Sequence, residues 1–416
     1  MTEDALLAIV QGEITSAVGS IGSEISEERR KSLDYYLGKP LGNEVEGRSK
    51  VVMHEVKDTV EWIMPALMRI FLSGDKVVQF DPVQLEDEPA SQQATEYVNH
   101  VALKQNDGFA LFYQWFKDAL IEKNGIVKVF WDDQKKSTKE SYSDLSIDEM
   151  AMILSDPEVE VINSSQDQDL YSVTVRRTKD KGRIKIVNVP PEEFLIHRRA
   201  SSIRPEGFCA HRVRKTRSDL REMGYSKKDI EGLGWDDGWN MESESRHDLD
   251  DQWPLSSLDV STQEVWVTEC YLKTDFDGDG IAELRKVTVA GDKILDNEEV
   301  DSIPFCAITP IIMPHRFFGL SIADLVMDIQ LIKSTFFRNV LDNIYLSNNG
   351  RFEAVEGKVR LEDLLTTRPL SVVRVSEAGS VRRLDTPQLQ PQAFTMIEYL
   401  DTIKEMADSN PVKRLV

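Results

Sequence analysis

A chain of 416 residues is too long for one ordinary hydrophobic core, and its 41% hydrophobic content can build two or three domains. Fifty Lys and Arg against 72 Asp and Glu leave a net charge of −22, which repels phosphate backbones and anionic lipid and argues against a tight nucleic-acid binder. Cys209, Cys270 and Cys306 are isolated thiols with neither a CxxC pair nor metal-ligand spacing, so a disulfide framework and a zinc site lack support and a reducing compartment fits best.

The N-terminal stretch MTEDALLAIVQGEITSAVG is acidic and has neither a basic n-region nor an uninterrupted apolar run, so no signal peptide is expected. No segment approaches the roughly 18 apolar residues of a membrane span. Residues 1 to 130 read as helices: SEERRKSLDYYLG, a run from Lys50 to Leu72, ASQQATEYVNHVALKQN and FALFYQWFKDALIEKN. In the second, Val51, Val56, Val60, Ile63, Leu67 and Ile70 recur at helical spacing, with a kink expected at Pro65. GIVKVFW then reads as a strand, followed by a polar stretch and a short helix that Ser146 and Glu149 cap.

From Leu170 the period changes toward 2, in YSVTVRRT, RIKIVNVP and EEFLIHR, which predicts a β-rich region. Two small helices interrupt it, each opened by a capping box: Thr216 with Asp219, and Ser226 with Asp229. Residues 234 to 262 are acidic, turn-rich and aperiodic and read as a long surface loop. TDFDGDGIAELRK follows between two β-branched runs and so sits in a hairpin. Asp275, Asp277 and Asp279, with Gly280, match the spacing of a calcium-binding loop, and Glu283 adds a fourth carboxylate. Position 12 of such a loop is Lys286 rather than glutamate, and Asp-Gly pairs are also ordinary hairpin-turn chemistry. Both readings stand: a turn with no required cofactor, and a calcium site at residues 275–283. IPFCAITPIIMP closes the region as an apolar strand.

HRFFGLSIADLVMDIQLIKSTFFRNVLDNIYLSNNG is the most informative segment. Ser321 and Asp324 cap a helix of about six turns that stops at Asn348, Asn349 and Gly350. Ile322, Leu325, Ile329, Ile332, Phe336, Val340 and Ile344 form one stripe; Leu331, Phe337, Leu341 and Tyr345 form a second beside it. A helix apolar on two faces is the central core helix of a monomer or a helix packed between neighbours in a ring. Beyond it, residues 351–386 read as strand, short helix, strand and strand, and residues 391–408 as a returning amphipathic helix.

Four stretches, RRKSLDYYLGKPLGNEVEGRSKVV, VKDTVEWIMPALMRIF, DFDGDGIAELRKVTV and HRFFGLSIADLVMDIQLIKSTFFRNVLDN, resemble the portal proteins, the head-to-tail connectors of tailed bacteriophages, in the short-tailed-phage branch. The similarity runs through nearly the whole chain. It implies an α+β portal-type architecture and a ring of about twelve subunits around a DNA channel at one capsid vertex. The implied parts are an outer wing (1–150 helical, 151–317 β-rich), a stem helix at 318–346, a clip at 347–388 and a returning helix at 389–416. Portals of this branch usually continue into channel-facing helices and a crown, whereas this chain stops at NPVKRLV, so it is expected to be truncated or split from a downstream partner. The resemblance places Ile322, Leu325, Ile329, Phe336, Phe337 and Val340 at the ring interface, and Arg351, Arg360, Arg374, Arg382 and Arg383 on the partner-docking clip. It implies these partners: copies of the chain itself, the terminase packaging motor, tail adaptor proteins, capsid and scaffolding proteins, and double-stranded DNA passing non-specifically, with no membrane. Localisation at the virion portal vertex follows, after assembly in the bacterial host cytoplasm. An acidic wall suits sliding DNA, because each phosphate contact made must be broken, although acidity also keeps a large assembly soluble.

The competing class is a metal-dependent hydrolase or a calcium-binding module built on the aspartate loop. Against an enzyme, the chain has no GxxxxGK[ST], HExxH or GxSxG pattern, and its six histidines fall on separate elements.

Overall fold

Residues 1–17, 24–74, 76–132, 135–156, 159–167, 170–180, 182–233, 259–348, 350–366, 371–384, 395–396 and 398–404 are described by the computed structural model, which shows a mixed α+β chain. The expected surface loop falls mostly on 234–258, outside the described residues, as do the end of the returning helix after 404 and the chain terminus.

A helical layer is built from α2 (Glu24–Leu37), α3 (Glu55–Leu72), α5 (Gly108–Glu122) and the long α9 (Ile322–Asn348). The inner face of α3 carries Val56, Val60, Ile63, Met64, Leu67 and Met68, which pack with Leu33 and Tyr36 of α2, Phe116 and Leu120 of α5, and Ile322 and Val326 of α9. Pro65 is tolerated inside α3 and lies on its exposed side. Gly38 ends α2 at a φ of +71°, and a Cβ there would stand 2.0 Å from the His54 ring, so glycine alone fits.

The expected start of α3 at Lys50 is too early. Residues 49–53 instead lie extended along α9: Ser49 N–H donates to Asp342 Oδ1 (2.8 Å), Met53 N–H to Ser334 Oγ (3.0 Å), and Arg338 Nε to the Val51 carbonyl (2.7 Å). Tertiary hydrogen bonds outbid helical propensity there. Beyond α3, α4 (Glu88–Asn99) runs directly into a π-helical turn at His100–Gln105.

The β part holds a five-stranded antiparallel sheet in the order β10-β9-β8-β7-β6: Lys293–Glu299, Glu283–Ala290, Glu264–Thr274, Cys209–Thr216 and Phe194–Ile196. A helix absent from the sequence expectation, α1 (Glu3–Ser16), lays Leu6 and Val10 on this sheet against Leu195, Ala210, Cys270 and Val287. A three-stranded sheet, β11 (Phe305–Ile308), β1 (Gly125–Asp132) and β5 (Arg183–Val189), carries on its central strand the chain leaving α5. The apolar strand expected through Pro314 is thus only four residues long.

A further sheet, β2-β4-β3 (Lys135–Leu145, Leu170–Asp180, Val159–Asp167), includes two strands that polar composition concealed. Its helix α6 (Ile147–Leu154) carries the expected Ser146–Glu149 capping box. In α7 (Arg217–Glu222) the Thr216–Asp219 box is complete, whereas α8 (Lys227–Glu231) has half of one: Ser226 Oγ accepts from Asp229 N–H and donates its proton to the Asp229 carboxylate.

What fastens α9 to the body is polar. Gln330, fully buried, accepts from Val56 N–H and donates to the Tyr35 carbonyl, both at 2.9 Å. Arg338 donates to the Asn43 side-chain oxygen Oδ1 and to the Glu44 carboxylate in addition to the Val51 carbonyl. Lys333 donates to buried Glu55 (2.7 Å) and to Asp401 of the returning helix, and Lys404 of that helix also reaches Glu55 (2.6 Å). Burial alone would raise the Glu55 carboxyl, but the two lysines outweigh it and hold it below its ordinary 4.5. Burial would likewise lower the Lys333 ammonium, yet Asp401 and Glu55 hold it above 10.5.

The contribution of Glu55 to stability is present above pH 4.5 and lost as pH falls through its lower folded value; that of Lys333 is present below 10.5 and lost as pH rises through its higher one. Glu55→Gln is expected to destabilise the chain at neutral pH by about 3–5 kcal/mol, because Lys404 loses its counter-charge and the buried Lys333 loses one of its two. Urea unfolding at neutral pH and below pH 4.5 measures this; the variant should differ from the parent much less at the lower pH, and an equal gap at both would refute the electrostatic account.

Candidate functional site

The aspartate loop joins β8 to β9, as its flanking runs predict, and its carboxylates converge. Oxygens of Asp275, Asp277, Asp279 and Glu283 all lie within 4.8 Å of one another, with Asp277 and Asp279 exposed and the other two half-buried. The loop closes on itself through these groups: Asp275 accepts from Gly278 N–H (2.7 Å) and Gly280 N–H (3.0 Å), Asp277 from Asp279 N–H (3.0 Å), and Asp279 from Ile281 N–H (2.7 Å). Gly278 and Gly280 supply the left-handed φ values of 89° and 88° that this winding requires. Glu283 accepts from Phe276 N–H (3.3 Å), and the Arg285 guanidinium lies 4.6 Å from the Phe276 ring centre. The Met1 ammonium donates to the Phe276 carbonyl. Four hard oxygen donors suit calcium or magnesium, while the amide bonds already stabilise the loop as a turn.

The six residues singled out on α9 and its neighbouring stripe divide. Ile322 (1% exposed), Ile329 (8%) and Val340 (6%) are buried by the chain itself. Leu325 and Phe337 are exposed, and Phe336 is half-buried. Ile332, Ile344, Tyr345 and Leu346 are exposed too, and no residue between 341 and 348 is buried. Both basic residues of the helix, Lys333 and Arg338, point inward with Gln330 and Ser334. That inner polar stripe escaped the sequence reading. Its signal was present in the spacing 330, 333, 334, 338, which is helical but runs through polar residues where a core stripe is normally sought among apolar ones.

The segment after α9 is small and has almost no interior. It pairs β12 (Phe352–Ala354) with β13 (Val381–Arg383), adds a bridge between Val359 and Val375, and includes the five-residue α10 (Leu361–Leu365). Among the described residues from 350 to 384 only Ser380 is buried, while Leu365 (79%), Val372 (78%) and Leu361 (63%) stand in solvent. Its arginines have separate surroundings. Arg374 grips Asp363 with Nε (2.7 Å) and Nη2 (2.8 Å), and that bond holds the Asp363 carboxyl down to about 2. Arg383 donates to the Ser347 carbonyl and ties the segment to the end of α9. Arg351, Arg360 and Arg382 have exposed side chains.

Several of the groups that an enzyme could use are engaged structurally, while Cys306 is exposed. Burial pushes the Cys209 thiol up to about 12 and the Cys270 thiol up as well, the opposite of a nucleophile's requirement. Lys128 and Tyr271 both donate to Glu269 within the β-sheet core, and His211 faces Glu193 at 3.1 Å. His247 lies outside the described residues. Among the described residues, His, Cys, Asp and Glu side chains converge as a candidate metal-binding group only at the aspartate loop. No helix among them is long and apolar enough to cross a membrane.

No curated protein matches the chain. The family model described as Phage SU10 portal protein matches residues 6–407, a span that takes in α1, the helical layer, every sheet, the aspartate loop, α9 and the segment after it. Matched over almost its whole length, the chain belongs to the Phage SU10 portal protein family.

Proposed function

We propose that the chain is the subunit of a ring of about twelve copies at one vertex of the phage capsid, where double-stranded DNA passes during packaging and ejection. Membership of the portal family makes the protein a structural component of a tailed phage rather than an enzyme, and implies a homo-oligomeric ring in the virion. The observation that carries the finer reading is apolar surface left uncovered in the lone protomer. The outer side of α9 exposes Leu325 and Ile332, the far half of the helix exposes Phe337 and Ile344, and the described part of 350–384 exposes Leu361, Leu365 and Val372. A unit this small cannot stabilise itself with so little burial, and a ring supplies the missing cover.

On this reading residues 1–317 are the wing, 318–346, which hold most of α9, the stem, 347–388 the clip and 389 onward the returning helix. The buried Ile322, Ile329 and Val340 hold the stem to its own wing, whereas Leu325 and Phe337 face the neighbouring subunit. The clip, with Arg351, Arg360 and Arg382 exposed, meets the terminase motor during packaging and the tail adaptor afterward. Capsid and scaffolding proteins surround the wing, and assembly takes place in the host cytoplasm. DNA is held weakly because a chain of net charge −22 offers its phosphates little attraction.

Electron microscopy of the purified chain is expected to show rings with a central hole. Phe337→Asp should leave protomers of unchanged circular dichroism that no longer assemble, since a buried unpaired charge costs several kcal/mol at each interface. Rings formed by this variant at the parent's concentration would remove α9 from the interface.

A second reading concerns the loop. The convergence of four carboxylates within 4.8 Å favours a calcium ion held by Asp275, Asp277, Asp279 and Glu283 as a structural clip on the hairpin. Millimolar calcium is then expected to release or absorb heat in titration calorimetry and raise the melting temperature, with both effects absent in Asp277→Asn/Asp279→Asn. A flat titration of the parent leaves the turn alone.

A further inference from the structure

The outer side of α3 has the composition of a contact face. Trp62, Ala66 and Ile70 follow one another at four-residue spacing, so they form a single stripe along the helix. Trp62 is 66% and Ile70 50% exposed, Pro65 and Ala66 are exposed beside them, and Asp58 and Arg69 flank the stripe in solvent. The opposite side of the same helix packs against its own α9 through Val56, Val60 and Ile63.

A ring needs each subunit to present two different faces that fit one another, because its contacts are heterologous. The outward face of α9 offers the match. Leu325, Asp328 and Ile332 form an exposed stripe there, and with Lys333 and Arg338 turned inward the outward charges of the helix are acidic. On α3 the cation beside the stripe is Arg69, next to Ile70 and exposed. We infer that the Trp62–Ile70 stripe of one subunit receives the Leu325–Ile332 stripe of the next subunit's α9, an inference that rests on the ring reading. Each α3 then lies between two copies of α9, its own within and the neighbour's without, and the helices continue as a belt around the ring. Arg69 faces Asp328 of the adjoining copy across this contact.

The test uses the full chain. Trp62→Asp is expected to raise the concentration at half-assembly by at least about thirtyfold, the loss typical of a buried aromatic anchor. Circular dichroism of the protomer should not change, because the residue is exposed in it. Met152→Asp, at an equally exposed apolar position on α6, should assemble like the parent. Arg69→Glu should weaken assembly, and adding Asp328→Lys should restore it. Rings of Trp62→Asp at the parent's concentration overturn this contact while leaving the ring reading intact. A parent that never forms rings overturns both. If Trp62→Asp loses helical signal, the charge swap decides: failure of the double variant to recover assembly overturns the pairing.

Discussion

Lys333 decides where two distant parts of the chain must go. An ammonium on the inward face of a helix cannot be left without a counter-charge, and the cost of burying it is offset only if carboxylates reach it with good geometry. Glu55 comes from the first turn of α3, where a negative charge also complements the positive end of the helix dipole, and Asp401 comes from the returning helix. The same carboxylate of Glu55 then accepts Lys404, so one acid joins α3, α9 and the chain's return. Gln330 and Arg338 lie about one turn to either side and bind backbone of α2, α3 and the linker between them. Sliding α9 by one turn would strip all three of partners at once, whereas an apolar face could slip with less penalty. The polar seam sets the register, and the apolar cluster supplies the cohesion.

This division explains what could be read from the sequence. The existence and limits of α9 were legible because Ser321 and Asp324 cap one end and its apolar positions recur at helical spacing. Which stripe faces the body was not, because Ile329 and Ile332 differ in no property that periodicity measures. The choice is made by Gln330, Lys333 and Arg338, whose partners in the N-terminal part of the chain are 274 to 295 residues away in sequence. Helix α1 was missed for a related reason: it is legible as amphipathic only once the sheet that covers Leu6 and Val10 is known. Strands β2 and β3 were missed because KKSTKESYSDL and VEVINSSQD are mostly polar in sequence, and period 2 carries little signal without a clear apolar side. The start of α3 was misplaced where backbone groups serve α9 side chains.

The aspartate loop was legible in place and ambiguous in role, and the geometry explains why both readings were fair. The arrangement that brings carboxylates together is itself produced by their bonds to the amides of Gly278, Asp279, Gly280 and Ile281. An amide bond uses one lone pair of an oxygen, so turn formation and cation binding draw on the same groups without excluding one another. The Met1 contact to Phe276 adds a tie from α1 to this hairpin, which places the loop in the frame of the five-stranded sheet.

Pairing inside the fold also shapes the field outside it. Lys123, Lys128, Lys333 and Arg338 are all buried and all bound to carboxylates, and such pairs cancel within the protein. They leave the excess of 22 negative charges to groups nearer the surface. Exposed cations remain on many elements, among them Lys57 and Arg69 of α3 and Arg351, Arg360 and Arg382 of the segment after α9. Lys333 and Arg338 serve to fasten the long helix, and a net charge of −22 disfavours tight binding of phosphate backbones in general.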